Sequence, residues 1–176
     1  VPTDPRVVLR QVPERTMAAI RYSGFWSEKN YLKHALELNE AAPENPVVFF
    51  KPPSCLVDAS QTTEISLPWS LGEIHHELEL VFQLGKDNHG KIQLKAWTLG
   101  LDLTARDLQK KLKDSGHPWE RAKGFDGGAP VSGFIDARGI SVRQNLEVSL
   151  EVNGESRQHG HTGQMLFPTF ELIAQI

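Results

Sequence analysis

The stretch His75-His76-Glu77-Leu78-Glu79-Leu80-Val81-Phe82 decides how this chain is read. Side chains alternate between the faces of an extended strand, so His75, Glu77, Glu79 and Val81 point one way. His76, Leu78, Leu80, Phe82 and Leu84 point the other way, and that face reads as core. Two carboxylates therefore stand side by side on a strand whose opposite face is buried. Like charges this close repel, and in a cleft one of them takes a proton unless a cation lies between them. Asp102, in Gly100-Leu-Asp-Leu-Thr-Ala-Arg-Asp107, offers a third carboxylate, and the three would form an all-oxygen set suited to a hard divalent ion. Plainer readings stand beside this one. Glu-x-Glu also suits a solvated strand face, and an acid just before a helix also suits a cap.

Outward from that stretch, the strand is expected from about Glu73 to Leu84, with a turn at Gly85-Lys-Asp-Asn-His-Gly90 and a second strand over Lys91–Leu101. Thr104 and Asp107 resemble a capping box for a helix that ends near Asp114, before Ser115-Gly116-His117-Pro118. A Gly-rich loop over Lys123–Pro130 leads into a further strand region. Leu146, Val148, Leu150 and Val152 then alternate with polar residues up to Asn153-Gly154, a strong hairpin signal. Towards the N-terminus, Arg6–Val12 and Thr16–Tyr22 read as strands, and Ser27 as the N-cap of a helix from Glu28 to about Glu40. Val47–Phe50, set between prolines, reads as a short, fully buried strand. Pro168–Ile176 opens an amphipathic helix with Leu172, Ile173 and Ile176 on one side, and no Gly, Asn or basic residue closes it. A fold cut short on its C-terminal side is expected from this.

The chain has 176 residues, enough for one domain with a sizeable core. A net charge of −3 gives no electrostatic case for nucleic acid or an anionic membrane surface. No apolar run approaches the roughly 20 residues of a membrane span, and no secretory leader is visible. A cytoplasmic protein is expected. Cys55, the single cysteine, reads as a small buried hydrophobe rather than a nucleophile.

Other side chains could carry chemistry. Asn30, His34 and Glu37 form a polar stripe on the first helix, and Glu37 one turn from His34 could orient the imidazole and raise its basicity; a surface pair is the plainer reading. Lys123 could neutralise a substrate carboxylate or a developing oxyanion, or be merely solvated. His75 lies beside the carboxylates, His76 belongs to the core face, and His89, His159 and His161 read as loop residues. No phosphate-binding Gly-rich loop, nucleophile elbow or zinc-type Cys/His spacing is present. The balance favours metal-assisted activation of a carbonyl substrate.

From about Asn30 the order of motifs resembles the fumarylacetoacetate hydrolase family, closest to its acylpyruvate hydrolase members. The segments that carry this are Asn30-Tyr-Leu-Lys-His34, Pro46-Val-Val-Phe-Phe-Lys-Pro-Pro-Ser54, Ile74-His-His-Glu-Leu-Glu-Leu80, Leu101–Asp107, Pro118-Trp-Glu-Arg-Ala-Lys-Gly-Phe-Asp126, Pro130-Val-Ser-Gly133 and Val152-Asn-Gly-Glu-Ser-Arg-Gln158. The resemblance implies an α+β fold, a mixed β-roll, dimeric when folded. It implies a Mg²⁺ or Mn²⁺ ion on Glu77, Glu79 and Asp102, substrate support from Lys123, and water activation by His34 with Glu37. It also implies a small 2-oxo or diketo acid substrate, cleaved at a carbon–carbon bond, with decarboxylation or isomerisation possible on the same site. Residues 1–40, with Asp4-Pro-Arg-Val-Val-Leu-Arg10 and Ile20-Arg-Tyr-Ser-Gly-Phe-Trp-Ser-Glu-Lys-Asn-Tyr31, resemble instead the SOUL haem-binding family. The chain is thus expected to join a SOUL-like segment over 1–40 to a catalytic domain over 41–176, in one structural unit. Tetrapyrrole binding and an inactive hybrid are the alternatives to a metal-dependent hydrolase.

Overall fold

A computed structural model of the chain describes residues 18–19, 45–61, 64–137 and 146–174. Its centre is the antiparallel pair β4 (Leu78–Lys86) and β5 (Ile92–Leu101). The turn between them is held by Asp87, whose Oδ1 accepts hydrogen bonds from the amides of His89 (2.8 Å) and Lys91 (2.9 Å). Gly90 there has φ +79°, a conformation that a residue with Cβ enters at a cost.

Short strands extend this pair into a sheet. β1 (Ala18–Ala19) lies along β4, and on the other side β7 (Ala129–Val131) pairs with β5 through Gly100 and Val131. β2 (Leu56–Asp58) lies beyond β7 and runs parallel to it, while β8 (Ile135–Asp136) also pairs with β5. The sheet is mixed and helices accompany it, in keeping with the α+β class expected. Gly100 makes the β5–β7 approach possible: a Cβ there would stand 2.8 Å from Val81 Cγ2 and 3.0 Å from the Pro130 carbonyl oxygen.

The strand expected from Glu73 is broken. β3 (Ile74–His75) pairs with β6 (Thr104–Ala105) in a separate two-stranded ladder, and β4 begins at Leu78. The cause is hydrogen bonding just past the β4–β5 ladder. The Asp102 amide donates to the Glu77 carbonyl at 2.8 Å, but the next amide, that of Leu103, turns away to the Gly128 carbonyl at 3.0 Å. The capping box is also corrected. Helix α1 (Arg106–Asp114) has Ala105 at its N-cap, because the Thr104 main chain pairs with His75 and its hydroxyl is turned into a buried cluster. The helix does end at Asp114, followed by Ser115 and Gly116. A second, single-turn helix, α2 (Glu120–Lys123), follows.

Leu78, Leu80, Phe82 and Leu84 form the core as expected, packed with Val148, Leu94, Trp97, Leu99 and Leu101. The cover is the hairpin β9 (Glu147–Val152) and β10 (Glu155–His161), with α3 (Thr169–Ala174) beside it. Asn153 and Gly154 both have positive φ, +55° and +79°, the hairpin turn their order predicts. An irregularity between Ser156 and Gln158 aims the Gln158 amide at β4. Its Oε1 accepts from the Leu78 amide (2.8 Å) and its Nε2 donates to the Leu78 carbonyl (2.9 Å), so the peptide between Glu77 and Glu79 is clasped from outside the sheet. A smaller cluster of Ala105, Leu112 and Ala122 seats both short helices.

Three further expectations need correcting. Both faces of Leu78–Phe82 are buried, not one, because the opposite face carries the cluster described below. Residues 47–50 are not a strand: Val47, Val48 and Phe50 are each more than half exposed, and among the described residues the segment joins no ladder. His159 and His161 lie in β10 rather than in a loop. The expected elements over residues 6–12 and 28–40 lie outside the described residues.

Candidate active site

The register of β4 on β5 sets three acids on one face. Glu79 pairs with Gly100 and Leu78 with Leu101, and the bond from Asp102 to Glu77 extends the register by one more pair. Residues directly opposite share a face, so Glu77 and Asp102 face each other and Glu79 follows two residues on.

An ammonium group bridges two of the three. Lys123, the last residue of α2, is 2% exposed. Its Nζ lies 2.9 Å from Glu77 Oε2 and 2.6 Å from Thr104 Oγ1, and it also donates to Asp102 Oδ2. The Phe49 ring covers it, with its centroid 4.8 Å from Nζ. A second buried ammonium, Lys51, lies 2.9 Å from Asp102 Oδ1. Arg106 stands at the partly exposed rim, with Nη1 2.7 Å from Gln109 Oε1 and 3.5 Å from Glu77 Oε1.

The carboxyls respond differently. Burial pushes Glu77 up, but Lys123 beside it, with Arg106, outweighs this and holds it below the usual range. Asp102 is raised to about 6 by burial, against the pull of Lys123 and Lys51. The difference follows from the surrounding charges: Arg106 adds to the pull of Lys123 on Glu77, whereas the charge of Glu77 pushes Asp102 further up. Glu79 is raised well above the ordinary range, first by burial and then by the charges of Glu77 and Asp102. It lies within the core, and among the described residues no donor reaches its carboxylate.

A buried carboxylate without a donor is costly, and it calls for a proton or a further cation. Three carboxylates of which one lacks a partner suit a hard divalent ion by donor chemistry. As the side chains stand, no three His, Cys, Asp or Glu among the described residues are arranged to hold an ion. The ammonium of Lys123 lies against Glu77 and Asp102, and Glu79 is the carboxylate it does not contact.

Of the residues singled out from sequence, Glu77, Glu79, Asp102 and Lys123 come together, whereas His34 and Glu37 lie outside the described residues. His75 turns away to Glu73, 2.9 Å from its Oε1. Cys55 is buried, and burial pushes its thiol up, as suits a packing residue. Lys51, Thr104 and Arg106 belong to the site but were not singled out. The signal available for Lys51 was a lysine set directly between an apolar run and Pro52-Pro53.

A model of the fumarylacetoacetate (FAA) hydrolase C-terminal family matches residues 25–176. The chain belongs to the fumarylacetoacetate hydrolase family. The match begins within the segment likened to SOUL proteins; of residues 1–40 the structure describes Ala18 and Ala19. Among curated relatives, oxaloacetate tautomerase YcgM of Escherichia coli is 42% identical over 152 residues, covering 82% of this chain and 68% of that protein. A Yersinia pestis crystal structure described as a fumarylacetoacetate hydrolase family protein superposes with a TM-score of 0.72 at 37% identity, over 81% of this chain and 68% of that one. Fumarylpyruvate hydrolase of Pseudomonas aeruginosa, crystallised with Mn²⁺ and pyruvate, gives a TM-score of 0.69 at 31% identity, over 80% of this chain and 64% of its own. The chain thus spans about two thirds of the length of these relatives. Among the described residues no helix is long and apolar enough to cross a membrane.

Proposed function

We propose that this chain is a divalent-metal-dependent enzyme acting on small 2-oxo acids, with keto–enol interconversion of an oxaloacetate-like acid as its reaction. The carrying observation is the buried group of Glu77, Glu79, Asp102 and Lys123, in which one carboxylate has no donor. The E. coli relative's activity, at 42% identity, supports the choice of reaction. Glu77, Glu79 and Asp102 would hold Mg²⁺ or Mn²⁺, which when bound supplies Lewis acidity to the oxygens of the acid. Lys123 places a buried positive charge where negative charge builds on an enolate oxygen, and low surrounding polarity strengthens it. Arg106, at the mouth, offers a guanidinium to a substrate carboxylate, steadied by Gln109. Phe49 keeps water from the ammonium.

Cleavage of a carbon–carbon bond in acylpyruvates is the second reading. It is favoured by the fumarylpyruvate hydrolase likeness and requires a water-activating pair, for which His34 and Glu37 are the candidates. Haem binding rests on residues 1–40 alone and is tested by absorbance with added haemin.

The test follows the enol absorbance of oxaloacetate and of acetylpyruvate with purified protein and Mn²⁺. Faster decay of the oxaloacetate enol, lost with chelator and in Glu79→Gln, is expected. Release of acetate and pyruvate from acetylpyruvate would instead establish the hydrolase. Decay no faster than in buffer with Mn²⁺ for both acids overturns the proposal.

A further inference from the structure

Lys51 is the buried charge that the reading above leaves unused. Its side chain is 2% exposed, yet it lies in an extended segment, five residues after Pro46 and directly before Pro52-Pro53. The ammonium donates to the carbonyl oxygens of Leu103 (3.1 Å) and Gly128 (2.8 Å) and to that of Lys123. Its remaining neighbour is Asp102 Oδ1 at 2.9 Å. The Phe125 ring closes one side, 5.5 Å away at its centroid.

These contacts reach three stretches of main chain: the residue after Asp102, the last residue of α2, and the Gly-rich loop. An ammonium gripped by main-chain carbonyls from three directions has little freedom to move. It therefore fixes which oxygen of Asp102 turns inward. With Oδ1 set against the Lys51 charge, Oδ2 is left facing Lys123. Burial strips an ammonium of its hydration, so a lysine is a poor choice where loops merely need tying together.

We infer that Lys51 is a positioning residue, a fixed counter-charge that orients the Asp102 carboxylate for cation binding while anchoring the main chain of Lys123. This rests on the proposal that Asp102 is a metal ligand. The three carbonyls use the three N–H donors of the ammonium, so its hold on Asp102 Oδ1 is that of a fixed charge at ion-pair distance, and such an outer partner sets the direction and donor strength of a ligating carboxylate.

The test uses Mn²⁺ alone, titrated by calorimetry into the full chain, with thermal unfolding of each metal-free variant to establish its folding. Lys51→Gln keeps two hydrogen-bond donors for the three carbonyls but removes the charge. The folded variant is expected to bind Mn²⁺ at least about tenfold more weakly than the native chain. A purely structural role would lower the unfolding temperature and leave affinity unchanged, and that result overturns the inference. Asp102→Asn separates the two levels. If it binds Mn²⁺ as the native chain does, the metal reading fails and the inference with it. If it loses binding while Lys51→Gln does not, the inference alone fails. Should Lys51→Gln show no cooperative transition, Gly128→Ala replaces it. The added Cβ would stand 3.2 Å from Lys51 Nζ, 2.9 Å from the Phe125 carbonyl oxygen and 3.2 Å from that of Lys123, shifting the ammonium without removing it. Several-fold weaker binding is expected there, and native affinity overturns the inference.

Discussion

The two ends of the β4–β5 hairpin obey different registers. At the turn end Lys86 faces Ile92, Gly85 faces Gln93 and Leu84 faces Leu94; at the site end Gln83 faces Ala96 and Phe82 faces Trp97, on to Leu78 and Leu101. Lys95 is the extra residue between them, folded over Gly85 with its Cε 3.0 Å from where a Cβ would be. Had the turn-end register continued unbroken, Asp102 would fall opposite His76, on the face that holds Leu78 and Leu80. The bulge puts it opposite Glu77 instead. A one-residue slip exchanges the faces of a strand, so this bulge separates a buried acid cluster from a charge driven into the apolar core.

Two single-residue deletions should break that comparison with very different force. Removing Lys95 makes the ladder regular and leaves Ala96 opposite Gln83, so the fold and the proposed Mn²⁺ binding should survive. Removing Thr98 cannot be absorbed. Keeping the bulge turns Asp102 from the face of Glu77, and giving it up puts Trp97 out of phase with Phe82. Loss of cooperative thermal unfolding is expected for the Thr98 deletion alone. Equal behaviour of the two would show that the bulge does not govern the site.

The same residues show how much was legible from sequence. The alternation from Leu78 to Leu84 gave the core face, and Glu77 with Glu79 followed from it. The phase change in β5 was also present: Ile92 and Leu94 keep one parity, while Trp97, Leu99 and Leu101 keep the other. That change marks a bulge, but the segment was read only as a strand. Asp102 could be named from local pattern, yet its pairing with Glu77 depends on a register settled by both strands together. Lys51 and Lys123 reach the cluster from loops and a single helical turn, where no period exists to betray orientation. Val47–Phe50 shows that hydrophobic composition is not burial: no strand pairs with the segment among the described residues, and three of its four side chains face solvent.

At the site end, Lys123→Met sharpens the contrast by removing a charge while leaving the backbone register alone. Asp102 is fully buried, and breaking such a pair by deleting one partner costs about 3–5 kcal/mol. Lys51 still compensates one oxygen of Asp102, and Glu77 is partly exposed, which sets the expectation at the lower end of that range. Denaturant unfolding of the metal-free protein measures it. A variant as stable as the native chain would mean that the carboxylates do not depend on this ammonium.

The turn end should respond far more weakly, and to acid in particular. Asp87 is held below the usual Asp range by hydrogen bonds from the Lys91 and His89 amides, with minor help from the Lys91 charge and Gln93. A carboxyl whose folded pKa lies below its unfolded value binds fewer protons when folded, so its stabilisation is present above the unfolded value, about 3.9. It is lost as the pH falls through the lower, folded value. Asp87→Asn keeps an acceptor for both amides but no longer titrates, so its stability should lose less than that of the native chain between neutral pH and pH values below the Asp range. Because the carboxylate lies at the surface, water and salt screen it, and the difference should shrink further at high ionic strength. Unfolding temperatures of the two proteins across that acid range make the measurement. Parallel curves would mean that the turn is held by backbone geometry alone, leaving the charge of Asp87 without a part in the less buried half of the hairpin.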